Sequence, residues 1–229
     1  MNWVENAKKR AAISAVTHIK NAQILGLGSG TTVAYALEEI GRKISERQIL
    51  VSGVPTSYQA LQLAVKHNIP LTTLEEHPQL DLVIDGADQV DKELNMIKGM
   101  GGALTREKIV ASASKMKIFV VDEGKLTNKL GTDQPVPIEV IPFALTTTME
   151  KLCKMGARPV LREAAHKLGP VISDNGNFLI DVQFGLIDNP EKLNLTLKTI
   201  PGIIETGLFP GFADIVYVGG KTTVRKLER

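Results

Sequence analysis

Apolar positions along the first 131 residues follow two alternating patterns. Segments with apolar residues three or four apart, such as Val4, Ala7 and Ala11, indicate amphipathic helices, and short continuous apolar runs between them indicate buried strands. The predicted helices span residues 4–20, 31–44, 57–67 and 105–115, and the predicted strands span residues 23–27, 49–54, 81–85 and 118–121, with a short extended segment at 71–74. Strands that alternate with helices predict an α/β fold, a doubly wound, mostly parallel, Rossmann-like sheet with right-handed crossovers.

The pattern changes at the turn-forming residues 131–135. Beyond them the predicted order is strand, helix, strand, strand, helix, strand, at residues 136–141, 146–155, 158–162, 178–182, 190–200 and 203–206. This order is typical of the ferredoxin-like fold. The sequence therefore predicts a small α+β domain at 132–206, inserted into a main catalytic domain of residues 1–131 plus 207–229. The segment Leu208–Tyr217 is predicted to return to the sheet of the main domain.

Composition and charge narrow the classes of function. The 43% share of hydrophobic residues supports a substantial core, while the 4% share of aromatic residues disfavours nucleic-acid modules that stack bases. A formal net charge of +2 with scattered Lys and Arg predicts neither a nucleic-acid partner nor a membrane surface. The single cysteine, Cys153, is predicted to be a core thiol, and it leaves no disulfide and no cysteine cluster for zinc. With no apolar signal-peptide core at the N-terminus, the expected location is the cytoplasm.

A glycine-rich loop, Gly26–Thr32, lies between the first predicted strand and the second predicted helix. Glycines permit a tight turn, and a helix N-terminus offers unpaired N–H groups to an anion, so the loop suits a phosphate. An ordinary tight turn with a threonine N-cap explains the same residues equally well. The P-loop is excluded because no lysine follows the glycines. A dinucleotide site is disfavoured because the second strand ends at 52–57 without an acid.

A second polar group follows the predicted strand at 81–85. Asp85 and Asp88 flank a Gly-Ala turn, and Lys98 opens a loop with three more glycines. Glu107 lies in the first turn of the next predicted helix. An aldose–ketose isomerase needs a base that moves a proton between adjacent carbons and donors that stabilise an enediolate oxygen. These four residues could fill both roles without a metal or a cofactor.

Each of these residues also has a structural interpretation when taken alone. Asp88 could cap the following turn, and the helix dipole favours an acid such as Glu107 in a first turn. Lys125, after the strand that ends at Asp122, and Lys8, on the first helix, could equally be solvated lysines. The functional interpretation is favoured because the acids, the lysine and the glycines occur together in one connection.

Several segments together closely resemble the A-type ribose-5-phosphate isomerase family. The matching segments, which follow one another in order along essentially the whole chain, are residues 26–32, 54–57, 85–88, 98–108, 136–140 and 174–177. The pair DGAD and KGMGGALTREK is highly specific, although Met100 replaces a glycine of the family pattern. The resemblance implies metal-independent interconversion of D-ribose 5-phosphate and D-ribulose 5-phosphate, in pentose phosphate metabolism, by a homodimer or homotetramer. It also implies a sheet domain with a smaller α+β domain.

The resemblance also implies roles for particular residues. Glu107 would be the general base, Asp85 and Asp88 would contact sugar hydroxyls with one of them assisting ring opening, and Lys98 would stabilise the enediolate. The implied substrate-binding residues are Ser29, Gly30, Thr31, Thr32, Gly86, Ala87, Gly99, Met100, Gly101 and Lys125. Two alternatives stay open at this point, namely another phosphosugar isomerase or deaminase, and a sugar-phosphate-sensing domain of a regulator.

Overall fold

The computed structural model describes residues 3–229, which divide into two compact units. The sheet unit comprises the chain up to Ala87 together with Arg106–Leu126 and Phe212–Arg229. The insert unit comprises Asp88–Thr105 and Thr127–Gly211. The insert unit therefore contains the predicted segment 132–206, and it also includes residues 88–105, 127–131 and 207–211.

The helices and strands are numbered in chain order. The strands are β1 (Ile24–Leu27), β2 (Ser52–Pro55), β3 (Leu80–Gly86), β4 (Gln89–Val90), β5 (Met96–Ile97), β6 (Ser114–Asp122), β7 (Val136–Val140), β8 (Arg158–Leu161), β9 (Phe178–Gln183), β10 (Ile203–Thr206), β11 (Leu208–Phe209), β12 (Ile215–Gly219) and β13 (Val224–Glu228). The helices are α1 (Trp3–Val16), α2 (Thr31–Ser45), α3 (Tyr58–Lys66), α4 (Leu104–Ala113), α5 (Leu145–Lys154) and α6 (Pro190–Lys198), with short 3₁₀ helices at Glu123–Lys125 and Pro142–Ala144.

The sheet unit is built on a six-stranded sheet in the order β13-β12-β6-β3-β1-β2. All neighbours in it are parallel except β12 and the edge strand β13. This confirms the predicted doubly wound, mostly parallel sheet. From β1 the chain continues to β2 on one side of it, whereas β3, β6 and β12 follow one another on the other side. The order of strands thus reverses between β1 and β3, the position where ligands bind in open α/β sheets.

Helix α2 shows why the apolar pattern specifies this packing. Its buried residues include Val33, Leu37 and Ile40, which lie on one face at spacings of three and four. They join the apolar cluster that contains Leu25 of β1 and Leu82 of β3. Burial of that face fixes α2 against the sheet, so the N-terminus of α2 lies at the carboxyl end of β1.

The insert unit contains a four-stranded antiparallel sheet in the order β10-β7-β9-β8. With α5 and α6 in the connections, this is the ferredoxin-like arrangement that the order of predicted elements indicated. Its core includes Ile138, Ile180 and Leu197. Cys153 was predicted to be a core thiol, but it is exposed, because α5 buries Thr148 and Leu152 and the next residue turns away from that face.

A small three-stranded sheet, β11-β5-β4, explains the boundaries of the insert unit. Strand β11 pairs with β5 through Leu208↔Ile97, so both segments pack with the insert unit. The prediction that the chain returns to the parent sheet at Leu208 is therefore wrong for β11. It is confirmed for Ile215–Tyr217, since β12 pairs in parallel with β6. In residues 3–229, no helix is both long enough and apolar enough to cross a membrane.

Candidate active site

The loop after β1 lies against the end of β3. Gly28 donates its N–H to the Ile84 carbonyl over 3.0 Å. A Cβ at position 28 would lie 2.3 Å from Asp85 Oδ1 and 2.5 Å from the Ile84 carbonyl oxygen. Only glycine therefore permits this approach of the two loops. The closeness brings the backbone that follows β1 within hydrogen-bonding distance of Asp85.

Asp85 is fully buried and orders this backbone. Its Oδ1 accepts the N–H of Ser29 over 3.1 Å and the N–H of Gly86 over 2.8 Å. Gly86 is half-buried, and a Cβ there would lie 3.6 Å from the Ser29 carbonyl oxygen. One carboxylate oxygen thus joins the β1 loop to the turn that begins with Gly86 and Ala87.

Ser29 also joins the β1 loop to the end of β2. Its hydroxyl is 2.8 Å from Thr56 Oγ1 and 2.6 Å from Ser57 Oγ. Ser57 in turn caps α3 by accepting the Ala60 N–H, so the hydroxyl cluster is anchored on both sides. Thr56 and Ser57 were not among the predicted site residues, although the segment 54–57 was among those that carried the family resemblance.

The N-terminus of α2 lies at this edge. Gly30 is its N-cap, with φ of +103°, a value that favours glycine, and its N–H donates to Gln59 Oε1 over 2.9 Å. Thr31, the first helical residue, is exposed, and Thr32 is half-buried. The first turn of α2 carries no acidic side chain. Its N–H groups and hydroxyls therefore form a suitable anion site.

Glu107 lies in the first turn of α4 and is only 5% exposed. Three residues further on, Val110 packs against β1, since a Cβ on Gly26 would lie 2.5 Å from Val110 Cγ1. Because α4 precedes the parallel strand β6, it runs opposite to the strands, with its N-terminus towards their carboxyl ends. Glu107 is therefore roughly 4–5 Å closer than Val110 to the edge that carries the β1 loop.

Two lysines of the sheet unit were candidates for contact with the substrate. Lys125 ends the 3₁₀ helix that follows β6, and it is half-buried at the carboxyl edge of the sheet. Asp122 caps that 3₁₀ helix through the Gly124 N–H over 3.0 Å. Lys8 lies on α1 and forms an ion pair with Glu5 over 2.8 Å.

In the insert unit, Asp88 and Met100 lie together. Asp88 donates its N–H to the Ile97 carbonyl over 2.8 Å, and its Oδ2 accepts the Met100 N–H over 3.0 Å. The Met100 side chain is exposed. The Met100 N–H thus orients the carboxylate of Asp88.

Lys98 is 2% exposed although it is a lysine. Its N–H donates to the Gly207 carbonyl over 2.8 Å, and its ammonium nitrogen lies 5.3 Å from the centre of the Phe209 ring. The face of an aromatic ring attracts a cation, so Phe209 both packs the side chain and stabilises its charge. Gly207 and Phe209 follow β10 and were not among the predicted site residues.

The loop after Lys98 is held by an arginine that the sequence argument also missed. Gly99 has φ of +99°, and a Cβ there would lie 2.8 Å from Leu104 Cβ. Arg162 Nη1 donates to the carbonyl oxygens of Gly99 and Met100 over 3.1 and 3.0 Å. Its Nε and Nη2 donate to both oxygens of Asp181 over 2.9 and 2.5 Å. This bidentate pair fixes the guanidinium and, through it, the loop that continues to the exposed Gly101.

Comparison with known proteins adds independent information. The family model for ribose 5-phosphate isomerase A (phosphoriboisomerase A) matches residues 52–223. A ribose-5-phosphate isomerase A from Pyrococcus horikoshii is 48% identical over 227 residues, which cover 99% of each chain. A solved D-ribose-5-phosphate isomerase in complex with phospho-erythronic acid is 48% identical, with a TM-score of 0.97 and full coverage of both chains. A ribose 5-phosphate isomerase A from Methanocaldococcus jannaschii is 42% identical, with a TM-score of 0.95 over 98% of this chain and 99% of the other.

Proposed function

The chain belongs to the ribose 5-phosphate isomerase A family, and we propose that it interconverts D-ribose 5-phosphate and D-ribulose 5-phosphate through an enediolate, with Glu107 as the base. The observation that carries this proposal is a buried carboxylate, Glu107, in the first turn of a helix at the carboxyl edge of the sheet. A positioned carboxylate with little access to water is suited to removing a proton next to a carbonyl group. The reaction belongs to pentose phosphate metabolism.

The proposed reaction moves one proton between two carbons. Glu107 removes the C2 proton of the open-chain aldose, and the electron pair forms the C1–C2 double bond as the carbonyl oxygen at C1 gains negative charge. Lys98 stabilises the negatively charged oxygen. Glu107 then returns the proton to C1, while the O2 proton passes to O1, so that O2 becomes the carbonyl oxygen of the ketose and O1 becomes a hydroxyl group. When the sugar ring opens, Asp85 or Asp88 accepts the proton of the C1 hydroxyl, the bond between C1 and the ring oxygen breaks, and the ring oxygen takes up a proton.

The phosphate is proposed to bind at the N-terminus of α2. Support comes from the exposed Thr31 and the half-buried Thr32 at the start of the helix, and from the absence of an acid in its first turn. Lys125, at the carboxyl edge of the same sheet, supplies a further positive charge.

Replacement of Thr31 by Ala is expected to raise KM for ribose 5-phosphate by about 10-fold while kcat changes little, because a hydrogen bond to a charged group contributes ~1.5 kcal/mol or more. Steady-state kinetics over a range of ribose 5-phosphate concentrations measure both constants. Thr17→Ala is the matched control, since Thr17 is an exposed threonine of the same unit at the end of α1. An unchanged KM in Thr31→Ala would place the phosphate elsewhere.

We propose that the reaction needs no metal ion. In support, Glu107 as the base and Lys98 as the group that stabilises the enediolate would supply the needed chemistry without one. Purified protein is expected to form ketose from D-ribose 5-phosphate at the same rate with and without EDTA. Activity that EDTA removes and a divalent metal restores would refute metal independence. Folded protein that forms no ketose at all would refute the isomerase itself.

Two further expectations remain proposals, a homodimeric or homotetrameric assembly and a cytoplasmic location. Phe143 and Leu168 in the insert unit are almost completely exposed, and a further subunit that covered either one would remove its apolar surface from water. Light scattering of the purified protein would give the size of the assembly.

A further inference from the structure

Glu139 is a fully buried carboxylate that has no role in the proposed reaction. It lies in β7, between Ile138 and Val140, whose side chains belong to the apolar core of the insert unit. Since side chains alternate across a strand, Glu139 points to the opposite face of the sheet. Burial of a carboxylate is costly unless hydrogen bonds satisfy its oxygens.

Four side chains donate hydrogen bonds to this carboxylate. Thr105 Oγ1 donates to Oε2 over 2.5 Å. On the other oxygen, Oε1, the distances are 2.7 Å to Ser173 Oγ, 2.8 Å to Asn177 Nδ2 and 3.1 Å to Asn175 Nδ2. Thr105 and Ser173 are themselves 9% and 8% exposed, so the network is enclosed by protein. Apolar residues of similar volume in place of the whole network would often stabilise a core equally well or better. Stability alone therefore does not explain why the carboxylate is there.

The network joins two segments that are far apart in the sequence. Ser173–Asn177 forms a turn closed by the Ser173 N–H, which donates to the Asn177 carbonyl over 2.8 Å. Thr105 belongs to the first turn of α4, two residues before Glu107. The carboxylate of Glu139 is thus anchored by the turn and by β7, and it holds the first turn of α4 through one short hydrogen bond.

We propose that Glu139 is a positioning residue that fixes the first turn of α4 through the Thr105 hydroxyl and so sets the orientation of Glu107 for proton transfer. The proposal rests on the base role of Glu107 given above. A small displacement of a reacting group lowers the rate of a proton transfer much more than it weakens the binding of the substrate. The network therefore acts on kcat rather than on KM.

The test compares three variants of the full chain. Thr105→Val removes the hydroxyl but keeps the shape of the side chain. Thr105→Ser, a separate variant, keeps the hydroxyl and removes only the methyl group. Ser173→Ala is the matched control, since it removes a hydroxyl donor of similar burial from the same carboxylate without touching α4. For each variant, kcat, KM and the melting temperature are measured with D-ribose 5-phosphate.

Thr105→Val is expected to lower kcat by about 10-fold with KM within about twofold, because the base is displaced while the phosphate site is intact. In Thr105→Ser, which keeps the hydroxyl, kcat should stay within about twofold of the wild-type value. Ser173→Ala should lower the melting temperature as much as Thr105→Val does but leave kcat nearly unchanged, because Asn175 and Asn177 still donate to Oε1 and the hydrogen bond to Thr105 remains. If Thr105→Val does not fold, Thr105→Ala removes the same hydroxyl with less steric change and carries the same expectation.

Equal losses of kcat in Thr105→Val and Ser173→Ala, or a wild-type kcat in Thr105→Val, would overturn the positioning role. Glu107→Gln in the same assay separates this failure from a failure of the proposed function. An inactive Glu107→Gln beside a fully active Thr105→Val refutes the positioning role alone. A fully active Glu107→Gln refutes the base assignment and the positioning role with it.

Discussion

Replacement of Glu107 by Gln is expected to lower kcat by at least about 100-fold, since a positioned general base contributes roughly 10²- to 10⁴-fold to a proton transfer. Gln has nearly the same shape as Glu, so the first turn of α4 and the contact of Val110 with Gly26 should persist. The phosphate site at α2 is also unchanged, so the substrate should still bind. Steady-state kinetics should therefore show a large fall in kcat with only a small change in KM.

The matched control for this variant is Glu123→Gln. Glu123 is an exposed carboxylate in the 3₁₀ helix after β6, at the carboxyl edge of the same sheet. The substitution removes the same charge from the same region, so it reproduces any general electrostatic effect on a phosphorylated substrate. Turnover of Glu107→Gln equal to that of the control would remove Glu107 from the mechanism. Exchange of the C2 proton with deuterated solvent offers a second measurement, and it should slow in parallel with kcat.

The main elements of the sheet unit could be predicted from the sequence because their signals are local. The apolar spacing of α2, with Val33, Leu37 and Ile40 on one face, is read within fifteen residues. The parallel order followed from the alternation of strands and helices. Since the carboxyl ends of parallel strands lie at one edge, the β1 loop and Asp85 were expected to be neighbours, and the hydrogen bond from the Ser29 N–H to Asp85 shows that they are.

The features that the sequence argument missed depend on pairs of residues distant in the chain. Strands β4, β5 and β11 have two residues each, too few to show a period, and they exist because their partners are present. The hydrogen bonds from Arg162 to Gly99 and Met100 join residues about sixty positions apart. No local pattern marks such a contact, so neither Arg162 nor Phe209 could be assigned to the candidate site from spacing alone.

The network around Glu139 illustrates the same limit. The segments 136–140 and 174–177 contributed to the family resemblance, but a carboxylate within an apolar strand and an Asn-Gly turn each have an ordinary structural interpretation. Only the fold shows that both converge on Thr105, in the first turn of the helix that carries Glu107. Motif recognition therefore identified the residues proposed for the chemistry but not those that hold them in place.

Replacement of Lys98 by Met is expected to lower kcat by about 10²- to 10³-fold, the typical effect of removing a group that stabilises a developing oxyanion. Met keeps the length and apolar stem of the lysine, and its thioether should pack against the Phe209 ring in place of the ammonium group. The backbone N–H at position 98 will still donate to the Gly207 carbonyl, so β5 and β11 should remain paired. The loss should therefore appear in kcat/KM with little change in melting temperature.

Lys92→Met is the control, because Lys92 is an exposed lysine of the same segment, six residues earlier. If the loss in Lys98→Met came only from the charge of the insert unit, both variants would lose activity equally, and raised salt would reduce the difference from wild type. Stabilisation of the enediolate predicts a loss confined to Lys98→Met and unaffected by salt. It also predicts that an analogue of the enediolate loses far more affinity in this variant than ribose 5-phosphate does, because the lysine is proposed to act on charge that develops only during the reaction.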